Sequence, residues 1–420
     1  GGAAPIRRGA AAWGRIGRVT DSPSAPRPLL PRASALPDFP WDSLRPYRAV
    51  AAAHPDGVVD LAIGTPVDDS PDVARAALTA ASNAPGYPAT IGTPAVREAI
   101  IGWMERRRGV RDLSDDAVIP TIGSKESVAL LPLQLGAGPG DVVVHPRAAY
   151  PTYDVGARLA GAAPVPVDTD ADPDSWELPA GPDGAPAVPV IVWLNSPGNP
   201  DGHVLGVEQL ARIVAWARRR GAVVIADECY AELGWAEPWA SEGVPSLLDA
   251  RAAGRTGGTT DLTGLIVLYS LSKQSNLAGY RAAFLAGDPE LVKAVTEVRK
   301  HSGLLVPAPV QAAMAAALGD DPHVAAQRET YRRRREALLG ATSAAGLVND
   351  PASVAGLYLW LGCPGVDDDW ELVRRFADLG ILVAPGAFYG DAARGRVRMA
   401  LTATDERIGA AASRIASHWG

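Results

Sequence analysis

The sequence predicts an α/β fold, a mostly parallel sheet with a smaller α+β region towards the C-terminus, and three observations carry that reading. Residues 141–144 (DVVV), 190–194 (VIVWL), 222–226 (AVVIA) and 265–268 (LIVL) are short and almost entirely apolar. Strands of a parallel sheet look like this because helices cover both their faces. Between them, residues 207–220 have helical spacing and stop at Gly221, a residue suited to close a helix. Such alternation calls for crossover helices. Beyond about residue 305 the pattern changes: helices dominate, broken by apolar strands at 356–360 (GLYLW) and 396–401 (RVRMAL).

The elements follow in order. Residues 1–35 are rich in Ala, Gly, Pro and Arg, carry no acidic residue before Asp21, and read as a disordered extension. No apolar core follows Arg7, Arg8, Arg15 and Arg18, so a secretory signal is not expected. Order should begin near 36–44 (LPDFPWDSL), and residues 36–62 are expected to form an arm joining the smaller domain. Residues 63–305 form the large domain, which includes an apolar helical run at 127–133. Residues 282–286 (AAFLA) come too soon after 265–268 for a parallel crossover and should run antiparallel. The Gly- and Thr-rich stretch 251–264 reads as a surface loop, and Arg332-Arg-Arg-Arg335 as the exposed face of a helix. Residues 306–420 form the small domain.

Composition narrows the function. Net charge is −7 and the isoelectric point about 5.5, so the basic footprint of a nucleic-acid binder is missing. No stretch has the apolar length needed to span a membrane. Cys229 and Cys363 are the two cysteines, without metal-ligand spacing or a disulfide framework, and a reducing cytoplasm suits them. The six histidines show no metal-binding spacing, so no metal is expected.

Polar residues collect where the strands end. Asn195-Ser-Pro-Gly-Asn-Pro-Asp-Gly202, Asp227-Glu-Cys-Tyr230 and Ser270-Leu-Ser-Lys273 each follow an apolar run, and ligands of open α/β sheets bind at the carboxyl ends of strands. Turn chemistry alone explains the first of these. Asp227 is harder to dismiss, because a carboxylate directly after a buried strand needs a cationic partner. Gly123-Ser-Lys-Glu126 enters a helix and offers free N–H groups to a phosphate. Ser270, Ser272 and Arg281 form a hydroxyl-plus-guanidinium set of the same affinity. Lys273 lies among them as either a solvated cation or a reactive amine.

Taken together and in this order, Asn-Pro-Asp-Gly, Asp-Glu-x-Tyr and Ser-x-Ser-Lys with an arginine eight positions on resemble the fold-type I, class I/II pyridoxal-phosphate aminotransferases, over roughly residues 36–420. The resemblance implies a role for each residue. Lys273 would be the Schiff-base lysine and Asp227 the partner of the pyridine nitrogen. Asn199 and Tyr230 would bond the cofactor's phenolic oxygen. Ser124, Ser270, Ser272, Arg281 and the backbone of Lys125 would hold the phosphate. Tyr150 would stack on the ring, with Tyr153 as the fallback, because the family's spacing between the proline and this tyrosine is shorter. Tyr87, in Gly86-Tyr-Pro, would reach the phosphate of a neighbouring subunit, which implies a homodimer.

Arg396 and Arg398 have the same strand parity, and the resemblance picks Arg398 as the clamp on the substrate carboxylate, with Gly64 beside it. The segments 36–44, 60–67, 272–281 and 397–407 are most similar to the actinobacterial type of succinyldiaminopimelate aminotransferase. That likeness implies glutamate as amino donor and N-succinyl-2-amino-6-oxopimelate as acceptor. An aspartate or aromatic aminotransferase and a β-C–S lyase share the pocket. Arg147, Arg299 and Lys300 are candidates for the distal end of the substrate, where solvation or salt bridges explain each equally well.

Overall fold

The computed structural model describes residues 36–181 and 184–419, so the extension expected over residues 1–35 lies outside it. Its centre is a seven-stranded sheet made of β1 (Val118–Ile122), β2 (Val142–Pro146), β3 (Ala163–Val167), β4 (Pro189–Asn195), β5 (Val223–Asp227), β6 (Leu265–Ser270) and β7 (Ala282–Gly287). The spatial order is β1-β7-β6-β5-β4-β2-β3. β7 runs antiparallel to both neighbours, as its short connection requires, and the other pairings are parallel. Alternate residues of the inner strands enter two different cores. Val192, Leu194, Val224 and Val267 face one, and Ile191, Trp193, Ile225 and Ile266 face the other. Burial on both faces is why these strands read as continuous apolar runs.

β1 and β3 lie at the two sheet edges and carry Pro120, Pro164 and Pro166. A proline cannot donate to a ladder, so edge positions are where such strands are tolerated. The helix Val207–Arg220 ends at Gly221 with φ of 72°, in the left-handed region that favours glycine.

A second sheet has β8 (Val348–Asn349), β9 (Tyr358–Gly362), β10 (Ala384–Pro385) and β11 (Arg396–Ala400), in the order β8-β9-β11-β10. Leu359, Leu361, Val397 and Met399 lie in its own apolar cluster. Val59–Asp60 pairs in parallel with Ile381–Leu382 beside it. Two local expectations need correction. Residues 251–264 include a small hairpin, Arg255–Thr256 with Thr259–Thr260. The arginine run is not uniformly exposed: Arg332 and Arg333 face solvent, whereas Arg334 is buried on carboxylate partners. No helix among the described residues is long and apolar enough to cross a membrane.

Candidate active site

Chain order reverses between β2 and β4: the crossover after β2 leads outward to β3, while those after β4 lead the other way. A crevice opens at such a switch point. Here it is a cavity of ≈ 400 Å³ at the strands' carboxyl ends. Asn195 and Asp227 are directly paired across β4 and β5, so their side chains arrive together. Lys273, Asp227, Tyr230, Asn199, Ser270 and Ser272 line this cavity. So do Ser124, Lys125, Tyr150, Arg281, Gly64 and Arg398. Tyr87 stands outside it, 99% exposed on the surface of the single chain.

Each side chain has a local reason for its place. Ser270 caps the short helix Leu271–Gln274, accepting from the Ser272 N–H at 3.1 Å and donating its hydroxyl to Ser272 Oγ at 2.7 Å. That turn projects Lys273 back over the sheet, where its Nζ donates to the Gly64 carbonyl. Burial pushes the Lys273 amine below its usual value, and the Arg398 and Arg281 guanidiniums add to this, with Tyr358 opposing. Gly123 starts the helix Gly123–Gln134 with φ of 70°, and its N–H donates to the Arg281 carbonyl at 2.7 Å. A Cβ at Gly123 would collide with the Arg281 guanidinium. Glycine there keeps the hydroxyls of Ser124, Ser270 and Ser272 and the Arg281 cation in one concavity.

Asp227 is 7% exposed. It accepts from Tyr153 Oη at 3.0 Å and from the Cys229 N–H at 3.1 Å. Burial pushes its carboxyl above the ordinary range, and those donors pull it back only in part. No cation pairs with it among the described residues. Tyr150 and Tyr153 both line the cavity; Tyr153 is fully buried with its hydroxyl on Asp227, and the Tyr150 ring lies 5.8 Å from Lys125 Nζ.

Arg398, 3% exposed, donates to Asn199 Oδ1 at 2.8 Å and to the Ala62 carbonyl at 2.6 Å. Its Nε has no partner among the described residues, and its guanidinium lies 3.9 Å from the Tyr358 ring centre. Arg396 lies away from the cavity and donates to the Trp360 carbonyl at 3.2 Å.

Among the wall residues that escaped the sequence reading are Tyr358, Trp41, Phe39 and Cys229. Tyr358 and Tyr230 share a hydrogen bond of 3.2 Å. Burial opposes ionisation of Tyr358, but Arg398 and Lys273 bring it below its ordinary value. A Cβ at Gly64 would strike the Tyr358 ring, which accounts for glycine there. In the sequence, Tyr358 looks like any strand aromatic. Of the distal candidates, Arg299 is fully buried against Glu126 and Lys300 pairs with Glu297 at 2.6 Å, so both are taken; Arg147 is exposed outside the cavity.

The Asn199 loop is held from outside by His203, whose ring meets Asp170 at 3.0 Å, Asp350 at 3.3 Å and Asp201 at 3.7 Å. Burial disfavours its charge, but the carboxylates prevail and push its pKa up to about 10. The raised value stabilises the fold fully below the unfolded value of ~6.5 and loses that contribution as pH rises through 10. A pH series of thermal midpoints is expected to show the gap between wild type and His203→Gln closing from pH ~6.5 upwards. A constant gap would contradict the assignment.

The decisive comparison is with the family described as "Aminotransferase class I and II", whose model matches residues 56–415. The chain belongs to this family. The aminotransferase is 53% identical over 380 residues to 4-dedimethylamino-4-oxo-anhydrotetracycline transaminase OxyQ of Streptomyces rimosus, covering 90% of this chain and 99% of that one. It is 50% identical over 412 residues to "Probable aminotransferase Rv1178" of Mycobacterium tuberculosis, covering 97% and 91%. Among solved structures it resembles the "probable N-succinyldiaminopimelate aminotransferase" of Thermus thermophilus, with a TM-score of 0.75 and 28% identity over 90% of this chain and 99% of that one.

The cofactor of this aminotransferase is pyridoxal 5′-phosphate. The cavity fits it on its own chemistry. A buried carboxylate lacks a cation among the described residues, a concavity of hydroxyls and guanidinium suits a phosphate, and a half-buried lysine has its amine turned inward.

Proposed function

We propose that this aminotransferase moves the amino group of glutamate to N-succinyl-2-amino-6-oxopimelate, with Lys273 as the catalytic amine. The observation that carries the chemistry is the meeting, in one cavity, of an inward-facing lysine with a buried carboxylate that has no cation among the described residues. The cofactor, when bound, supplies a carbonyl that condenses with amines and a ring that takes up electrons. Lys273 anchors it and then carries protons at Nζ, a task its lowered pKa suits. Asp227 holds the proton on the ring nitrogen. Ser124, Ser270, Ser272, Arg281 and the Lys125 N–H hold the phosphate, and Tyr150 covers the ring. With Oδ1 of Asn199 taken by Arg398, its Nδ2 is left as a donor to the phenolic oxygen, beside Tyr230 Oη. Arg398 and Gly64 receive the substrate carboxylate, which supplies the anion that this buried guanidinium lacks.

Lys125 supports the choice of acceptor. Its ammonium stands 5.7 Å from the Phe39 ring and 5.8 Å from Tyr150, without an ion-pair partner among the described residues. A cation so placed suits an acceptor with an anionic far end. The fully exposed Tyr87 fits a homodimer in which its ring completes the partner's phosphate site.

A second reading is favoured by the 53% identity to the OxyQ transaminase and by the aromatic rim of Phe39, Trp41 and Tyr150. On that reading the acceptor is a fused-ring ketone. Single-turnover spectroscopy separates the two. The glutamate-treated enzyme is mixed with each acceptor and return of the starting visible spectrum is timed. The first reading predicts that N-succinyl-2-amino-6-oxopimelate outruns oxaloacetate and phenylpyruvate. If either of these, or a fused-ring ketone, far outruns it, the succinyl assignment falls.

A further inference from the structure

The arginine run at 332–335 contains a residue that the chemistry above does not use. Arg332 and Arg333 make ordinary surface pairs on the helix Asp321–Ala344, but Arg334 is 3% exposed. Its Nη1 and Nη2 grip both oxygens of Asp68 at 2.8 and 2.6 Å, and its Nε donates to Asp405 at 2.7 Å. Asp68 lies four residues after Gly64, in the stretch 63–70 whose first four residues, 63–66, wall the cavity.

Within the chain, packing does little to fix that stretch, since Ile63 and Val67 are 44% and 47% exposed. Polar anchors hold it instead. Arg398 donates to the Ala62 carbonyl, Thr402 to the Ile63 carbonyl at 3.1 Å, and Lys273 to the Gly64 carbonyl. Two of these three donors are the groups that substrate and cofactor are assigned to claim. The two-pronged, charged grip on Asp68 is the strongest anchor left. The same helix also reaches the turn that follows the Lys273 helix. Gln327 donates to Asp68 at 2.9 Å and accepts from Asn276 Nδ2 at 2.8 Å, and Ser70 donates to the Asn276 carbonyl at 3.1 Å.

We propose that Arg334 is a positioning residue for amino transfer. Its fork on Asp68 holds Gly64 in register with the Lys273 amine once Arg398 and Lys273 have turned to their ligands. The proposal rests on the roles assigned above to Lys273, Arg398 and Gly64.

Three variants test it: Arg334→Met, Arg334→Lys and Asp405→Asn. Arg334→Met keeps an unbranched stem and loses the fork. It is expected to raise KM for glutamate and to lower kcat/KM about 10²-fold, the scale of a small misplacement far from the chemistry. Amide hydrogens in residues 65–70 are expected to exchange faster in both the cofactor-loaded and the unloaded protein. Arg334→Lys restores the charge without the planar fork and should fall between the two. Asp405→Asn removes the charge of the solvent-side partner and should leave KM and exchange at wild-type levels.

Unchanged exchange over 65–70 in Arg334→Met overturns the proposal. So does a loss of kcat and thermal stability with KM unmoved, which a merely structural role would give. Should Arg334→Met fail to fold, Asp68→Ala removes the same contact from the other side, with the same expected and contrary results. Wild-type protein that binds no cofactor would sink the functional reading instead; the exchange measurement on unloaded protein still decides whether Arg334 anchors the stretch.

Discussion

Replacing Lys273 with alanine is expected to abolish glutamate transamination, a loss of about 10⁴-fold or more, since one amine serves as both covalent anchor and proton carrier. The fold should survive the change. Lys273 has its Nζ bonded to the Gly64 carbonyl and otherwise faces the cavity, and burial already works against its charge. Alanine removes a disfavoured cation without leaving a buried carboxylate unpaired. The variant should therefore unfold near the wild-type temperature while losing the visible absorption that marks cofactor joined to the chain. Phosphate-side contacts through Ser124, Ser270, Ser272 and Arg281 remain, so weak non-covalent binding of the cofactor is still expected. An unchanged spectrum, or activity within tenfold of wild type, would contradict the assignment of Lys273.

Asp227→Asn is the second large effect. The Asp227 carboxylate accepts from Tyr153 and Cys229 and meets no cation among the described residues, so burial works against its charge and a cationic ligand would restore it. An asparagine keeps the shape and the polar contacts but cannot balance a protonated ring nitrogen. Breaking a buried charge pair on one side costs about 3–5 kcal/mol. If that cost falls on the reaction barrier, kcat should drop by about 10²- to 10⁴-fold. Tyr153→Phe is the matched control. It removes one donor and leaves the carboxylate, so its cost should be about 1 kcal/mol and its activity within about tenfold of wild type. Equal losses in the two variants would mean that the hydrogen bond matters and the charge does not.

What the sequence made legible follows from how each feature is encoded. β4, β5 and β6 are buried on both faces, so apolarity alone announced them, and the polar residues at their ends announced the cavity. β1 and β3 were invisible because their prolines argue against a strand, and only the sheet order shows that both lie at edges. The strand-end residues that the resemblance singled out share the cavity because neighbouring strands bring them to one level. Tyr358 gave no signal, since an aromatic inside a strand reads as core, and its contact with Gly64 depends on two segments far apart in sequence. The same holds for Arg334. Local sequence shows a charged helix face, and only the tertiary partner Asp68, 266 residues away, turns one member of that face inward.

The central claim is that the cavity performs amino transfer through Lys273. Its most direct test is one half-reaction on the wild-type protein. Purified, cofactor-loaded enzyme is mixed with excess glutamate without acceptor, and the visible absorption is followed as 2-oxoglutarate is assayed. The predicted result is loss of the starting absorption together with one equivalent of 2-oxoglutarate per active site. An unchanged spectrum with no 2-oxoglutarate released would contradict the account.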